Sequence, residues 1–237
     1  MRLVTAVDVD WGERGLARLL VRVDAVAIVD VLSFSTCVSV AADRNIAIHP
    51  VAIGLDGVDL ARRLGARLAK RRREAGSNDL SLSPMSLLGA APGSTVVLPS
   101  PNGSALSAIA SGAPEVVVFA GCLRNRRAVA GAMAGFARVG IVAAGERWLD
   151  QSLRPAIEDW LGAGAIVDAL AGASLSAEAE FARTAWRAAQ ADLMRLMHGS
   201  LSGQELAAEN HSSDVDIAAE LDGSDQAPRL RDGAYRA

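Results

Sequence analysis

Runs of consecutive apolar residues alternate along the chain with stretches of helical spacing. Residues 3–7 form a short apolar run, and 12–22 place apolar side chains at helical intervals. Residues 24–32 (DAVAIVDVL) are apolar almost without a break and rich in Val and Ile. That is the pattern of a strand buried on both faces. Residues 33–36 lead into a small-residue stretch to Ala42 that reads as a helix, and 46–53 is a further strand. Residues 58–74 carry leucines at 60, 64 and 68 with arginines between them, which predicts one helix closed by the basic patch 70–73. Cations at a helix end complement its dipole. Three shorter runs, 95–98, 115–120 and 139–144, each precede a polar turn, and the loop 76–92 suits either a flap or a connector. From Arg154 the pattern turns helical over 155–171 and 177–197, and the stretch beyond Gly199 mixes short helices with Asp, Ser and Gly. The strand-then-helix rhythm predicts an α/β protein, layered α/β/α with a mostly parallel sheet. One domain over 1–237 is expected, with room for two α/β lobes around one site.

Composition narrows the class. The 237 residues are 51% hydrophobic and 22% charged with a formal net charge of −3, too apolar for a disordered chain and too balanced for a nucleic-acid binder. Cys37 and Cys122 are too few for a disulfide framework and show no zinc-ligand spacing, which fits a reducing, cytoplasmic setting. The first residues reach Asp8 and Asp10 at once, so no signal peptide is expected. No apolar run attains the roughly 18 to 20 residues of a membrane span. Lys70 is the only lysine among 24 basic residues, an arginine bias that reads mainly as compositional. His49, His198 and His211 lie far apart and outside any nucleophile or metal motif. Dinucleotide, P-loop and nucleophile-elbow signatures are absent.

In open α/β sheets, ligands bind beyond the carboxyl ends of strands. The residues there are Asp30, Ser33, Ser35 and Thr36; then Asn102, Gly103 and Ser104; then Asn125; then Gly145 and Glu146. Ser35, Thr36 and Asn102 open helical stretches, where free N–H groups and the dipole attract phosphate. By residue type alone they are more often plain helix caps. Asp30, Glu146, Glu158 and Asp159 can supply the oxygen ligands that Mg²⁺ wants. Glu158 and Asp159, at a helix start, can equally just complement its dipole. Asp30 is harder to set aside, because its neighbours are all apolar and an unpaired buried carboxylate is costly.

The ordered set of motifs resembles the 2-phosphosulfolactate phosphatase family. Residues 28–36 (IVDVLSFST) are similar to its D-V-L-R-A-S-T segment, 98–104 (LPSPNGS) to T-T-N-G-T, and 121–129 (GCLRNRRAV) to an Asn followed by Ala-Val. Ala144 with Gly145 resembles its A-G piece, and 157–165 its E-D-x-x-x-A-G-A piece. Residues 202–206, Asp214 with Val215, and 222–228 resemble its C-terminal pieces, so the likeness spans about 24–233. The resemblance implies a Mg²⁺-dependent hydrolase that releases phosphate from 2-phospho-3-sulfolactate. Asp30 and one of Glu158 or Asp159 would hold the metal, here assigned to Asp30 and Glu158. Asp30, Asn102, Glu158 and Asp159 would be catalytic. Ser35, Thr36, Asn102, Gly103 and Ser104 would cradle phosphate, with Ser33 at the substrate, and Asn125 and Glu146 would orient substrate or water. The expected partner is a small phosphorylated acid, not nucleic acid or membrane, and a homo-oligomer is allowed.

Departures from the family pattern fall at the expected anion site. Ser33 stands where the family has Arg, and Ser100 and Pro101 replace two Thr. The family's G-E-R stretch ahead of T-T-N-G-T finds no counterpart between 36 and 98, and its G-N-S-P-x-E stretch survives only as 81–86 (SLSPMS). A guanidinium facing phosphate is a charge-assisted contact that Ser cannot supply. Arg124, Arg126, Arg127 and Arg147 are the candidates to replace it. The alternative reading is a relative impaired in turnover that binds a small anion or a protein partner.

Overall fold

The structure, a computed structural model, describes residues 5–237. The strands are β1 (Ala6–Trp11), β2 (Ala25–Val29), β3 (Ala47–Ala52), β4 (Arg67–Leu68), β5 (Thr95–Ser100) and β6 (Val117–Gly121). They continue as β7 (Arg138–Ala143), β8 (Glu146–Arg147), β9 (Leu153–Arg154), β10 (Ser174–Leu175), β11 (Arg229–Arg231) and β12 (Ala234–Arg236). The helices are α1 (Gly12–Leu20), α2 (Phe34–Asp43), α3 (Gly57–Leu64), α4 (Pro84–Leu88), α5 (Gly103–Ala110) and α6 (Arg126–Met133). After them come α7 (Ile157–Ala169), α8 (Ala177–Ala189), α9 (Leu193–Gly199), α10 (Leu201–Ala208) and α11 (Ser212–Ala218). Among the described residues, no helix is long and apolar enough to cross a membrane.

Ten strands form one sheet in the order β10-β1-β7-β2-β6-β11-β12-β3-β5-β4, and β8 and β9 pair separately as a short hairpin. The sheet has two parallel halves. β10, β1, β7, β2 and β6 run parallel, as do β3, β5 and β4. The hairpin β11–β12 lies antiparallel between them, Arg229 opposite Phe119 on one side and Tyr235 opposite Ile48 on the other. The mostly parallel sheet expected from the alternation is therefore present, with its two halves joined in one sheet.

The continuous apolar run of β2 is explained by burial on both faces. Ala25, Ala27 and Val29 enter a core with Met133, Ile166 and Trp186 from α6, α7 and α8. Val26 and Ile28 enter the opposite core with Leu16, Phe34, Leu106 and Tyr235. Burying one such aliphatic side chain contributes about 1.5–3 kcal/mol, so neither face tolerates a polar residue.

Three stretches differ from the periodicity. The helix expected over 58–74 stops at Leu64, because Gly65 adopts a left-handed conformation with φ 59°. The chain then runs through β4 into a loop with one 3-10 turn over 72–74. The basic patch 70–73 thus sits in a loop and caps no helix. The helix expected over 177–197 breaks at a 3-10 turn over 190–192. The first strand runs from Ala6 to Trp11, later than the apolar run 3–7, of which residues 3 and 4 lie outside the described residues.

Candidate active site

Two buried carboxylates tie together the loops that leave the strands. Asp30 follows β2. Its Oδ1 accepts the Phe34 N–H at 3.0 Å and its Oδ2 accepts the Gly103 N–H at 2.8 Å. One side chain thereby joins the start of α2 to the start of α5, which belong to the two halves of the sheet. The approach is close. A Cβ on Gly103 would lie 2.2 Å from Phe34 Cδ1, so only glycine fits there. Asp159, in the first turn of α7, accepts the Val31 N–H at 2.7 Å and the Gly145 N–H at 2.8 Å. It joins the loop after β2 to the loop after β7.

Most of the hydroxyls read as a phosphate cradle are engaged with backbone. Ser35 Oγ donates to Ile28 O at 2.9 Å and accepts the Asp30 N–H. Thr36 Oγ1 donates to Val31 O at 2.7 Å, and Ser104 Oγ donates to Leu98 O at 3.0 Å. Asn125 closes its own turn, accepting the Cys122 N–H and donating to Ala120 O. All four are fully buried. The N-cap geometry anticipated from residue type is also different in kind. Ser35 and Thr36 lie inside the first turn of α2 rather than before it, and Asn102 before α5 does not cap its helix with its side chain.

Asp30, Ser33, Asn102 and Glu146 do converge, on a cavity of about 600 Å³. A fifth residue joins them that no pattern in the chain placed there. Arg72 reaches in from the loop after β4, and its Nη2 donates to Ser33 Oγ at 2.6 Å. Its guanidinium is largely buried, and Arg72 Nε has no hydrogen-bond partner. Asp214, fully buried in the first turn of α11, holds it. Asp214 Oδ2 lies 3.4 Å from Arg72 Nη2, while Oδ1 accepts from Ser83 Oγ at 2.6 Å and from the Met85 N–H at 3.3 Å. A guanidinium therefore stands beside the position where the resembled family carries Arg, delivered from 39 residues away in sequence. The arginines expected to replace it are engaged elsewhere. Arg124 pairs with Glu220 and Asp43, and Arg126 and Arg127 with Asp222. Arg147 pairs with Glu13.

The electrostatics are those of crowded carboxylates. Burial pushes Asp30 up to about 6, against two backbone N–H groups and with Glu158 adding to the rise. Burial and then Asp30 push Glu146 up to about 7, although Asn102 Nδ2 donates to its Oε2 at 2.9 Å. Burial, Asp30 and Glu158 together hold the Asp159 carboxyl well above the usual carboxylate range. Glu158 is itself buried, and its carboxylate makes no hydrogen bond among the described residues. A cation would relieve this repulsion. No group of three or more His, Cys, Asp or Glu among the described residues is disposed to hold a metal ion by itself. The residues therefore fit only the sparse coordination typical of Mg²⁺, one or two carboxylates completed by water and substrate phosphate. Asp30 and Asp159 alike accept a backbone N–H at each oxygen and would offer a cation only their remaining lone pairs, whereas Glu158 carries no such bond among the described residues. The three histidines stay outside: His49 is buried in β3 and His198 pairs with Asp216.

A family model described as 2-phosphosulpholactate phosphatase matches residues 19–233. No curated protein matches the chain.

Proposed function

The chain belongs to the 2-phosphosulpholactate phosphatase family, and on that premise we propose that it is a Mg²⁺-assisted phosphatase of an acidic phosphomonoester of the 2-phospho-3-sulfolactate type. The observation that carries this reading is Arg72. A mostly buried guanidinium with an unpartnered Nε lines a cavity together with Asp30, Ser33, Asn102 and Glu146. A guanidinium on the wall of such a cavity offers a phosphoryl oxyanion the N–H groups that Ser33 and Asp214 leave over.

Arg72 and Ser33 bind the phosphoryl oxygens. Asp30 and Glu158 would hold Mg²⁺, which when bound supplies positive charge against the phosphoryl group. Asp159 is a positioning residue that keeps the loops after β2 and β7 in register. Asn102 donates to Glu146 Oε2, which leaves Oε1 to carry the proton of the neutral acid. With its ionisation pushed up to about 7, Glu146 holds that proton in about half of the molecules at neutral pH. The proton passes to the leaving alcohol oxygen as the ester O–P bond breaks. Water adds to phosphorus, and its released proton restores Glu146.

Purified protein is expected to release inorganic phosphate from 2-phospho-3-sulfolactate or a related acidic phosphoester with Mg²⁺, and to lose that activity with EDTA. Phosphate binding without release from any ester in a broad panel would replace this reading with that of a non-catalytic relative.

A further inference from the structure

Asn102 and Glu146 line two cavities, not one. Beyond them lies a second space of about 470 Å³, so the pair joined by their 2.9 Å hydrogen bond is shared by the linings of both. The chemistry of the second space differs from that of the first. Trp11, Leu106 and Leu153 give it apolar sides. The Trp11 ring is fixed by stacking on Trp160, with centroids 5.0 Å apart and planes within 5°. Arg14, in the first turn of α1, also lines it and has no ion-pair or hydrogen-bond partner among the described residues, whereas Arg147 is taken by Glu13. Glu13 and Glu146 line it too, and with Arg147 held by Glu13 the charge left free is that of Arg14, where α1 begins without a side-chain cap.

We propose that this second cavity is a leaving-group subsite, which selects phosphomonoesters whose alcohol is a flat apolar body ended by a carboxylate. The inference rests on the phosphatase reading and narrows its substrate class. Phosphate lies against Arg72, the body against Trp11 and Leu106, and the carboxylate against Arg14. The ester oxygen then lies at the shared Asn102–Glu146 pair, beside the Glu146 carboxyl that protonates it. Pockets of about 300–1,000 Å³ suit ligands much larger than a three-carbon acid, and the two spaces together exceed what such an acid fills.

The test compares 2-phosphoglycolate, phenyl phosphate and 4-carboxyphenyl phosphate on the wild type and on two variants at exposed positions of the second cavity. Ser152→Trp fills its mouth, and Arg14→Glu reverses its charge. Ser152→Trp is expected to lower kcat/KM for both aryl esters by about tenfold or more, the scale of one lost pocket contact, with phosphoglycolate unchanged. Arg14→Glu is expected to lower it for 4-carboxyphenyl phosphate alone. In parallel, calorimetry measures 4-hydroxybenzoate binding to each protein, with circular dichroism as the check on folding. Equal effects on all three esters, or no effect of either folded variant, overturn the subsite while the phosphatase reading stands. If no ester is hydrolysed but 4-hydroxybenzoate binds the wild type and not Ser152→Trp, the cavity is an aryl-carboxylate site, and the phosphatase reading falls together with the leaving-group role.

Discussion

The corner where β2, β5 and β7 end and the arm that follows β4 meet at one cavity, but they are built on opposite terms. The corner is dense with short polar side chains, and nearly all of them are committed. Asp30, Asp159, Ser35, Thr36 and Ser104 each bond to backbone within the corner itself. The arm carries one largely buried guanidinium on an irregular loop, held by Asp214 from α11, and that guanidinium keeps an unpartnered donor. Residues that shape a site and residues that bind its ligand can thus come from different regions. Small polar groups after strands are better read as the frame. The charge that meets an anion is the one whose hydrogen bonds are left over.

Four substitutions sharpen this division. Arg72→Ala removes the anion contact and leaves the frame intact. The expected loss is about a thousandfold in kcat/KM, roughly 4 kcal/mol, with a lowered melting temperature but a folded protein, because the buried Asp214 loses its cation while Ser83 and the Met85 N–H still hold it. If Arg72→Ala instead unfolds the protein at unchanged specific activity, the arm belongs to the frame and the contrast fails. Asp159→Ala does the reverse. It strands two buried N–H groups and is expected to cost about 3 kcal/mol in denaturant unfolding.

Glu146→Gln probes the one carboxylate placed on both sides of the divide. Glu146 is raised in the folded state from an ordinary 4.5 to about 7. Its stabilising contribution is therefore complete below pH 4.5 and is lost as pH rises through 7. The Gln variant lacks that loss. It is expected to be more stable than the wild type at pH 8 by about 3 kcal/mol, with the difference vanishing near pH 4. Thermal melts across that range check the sign, and a constant difference would show that Glu146 does not titrate there. Thr36→Val removes one buried hydroxyl bond of the frame. About 1 kcal/mol of stability is expected to go, with KM for the phosphoester unmoved.

Much of this was legible in the chain. β2 announced itself as an unbroken Val/Ile run because both its faces are buried, and Asp30 stood out because its neighbours are apolar. The clustering of polar residues after strands located the corner, but not which of them would be left free, since that depends on which backbone groups lie opposite. Arg72 was not legible. The leucines at 60, 64 and 68 continue a helical period straight across Gly65, and only the left-handed turn there sends the arm toward Ser33. The hairpin β11–β12 did leave a signal, in the Asp232-Gly233 pair between two short alternating segments. Both residues take positive φ, 50° and 74°, as a tight hairpin turn needs.

That hairpin also sets a schedule. Residues 229–236 come after every other strand in sequence yet lie in the middle of the sheet, pairing with β6 on one side and β3 on the other. During synthesis, both halves must emerge with an open inner edge and wait for their shared neighbour. A nascent chain stalled before Arg229 is expected to be readily cut by protease at those edges, and to become resistant once Tyr235 has cleared the exit tunnel.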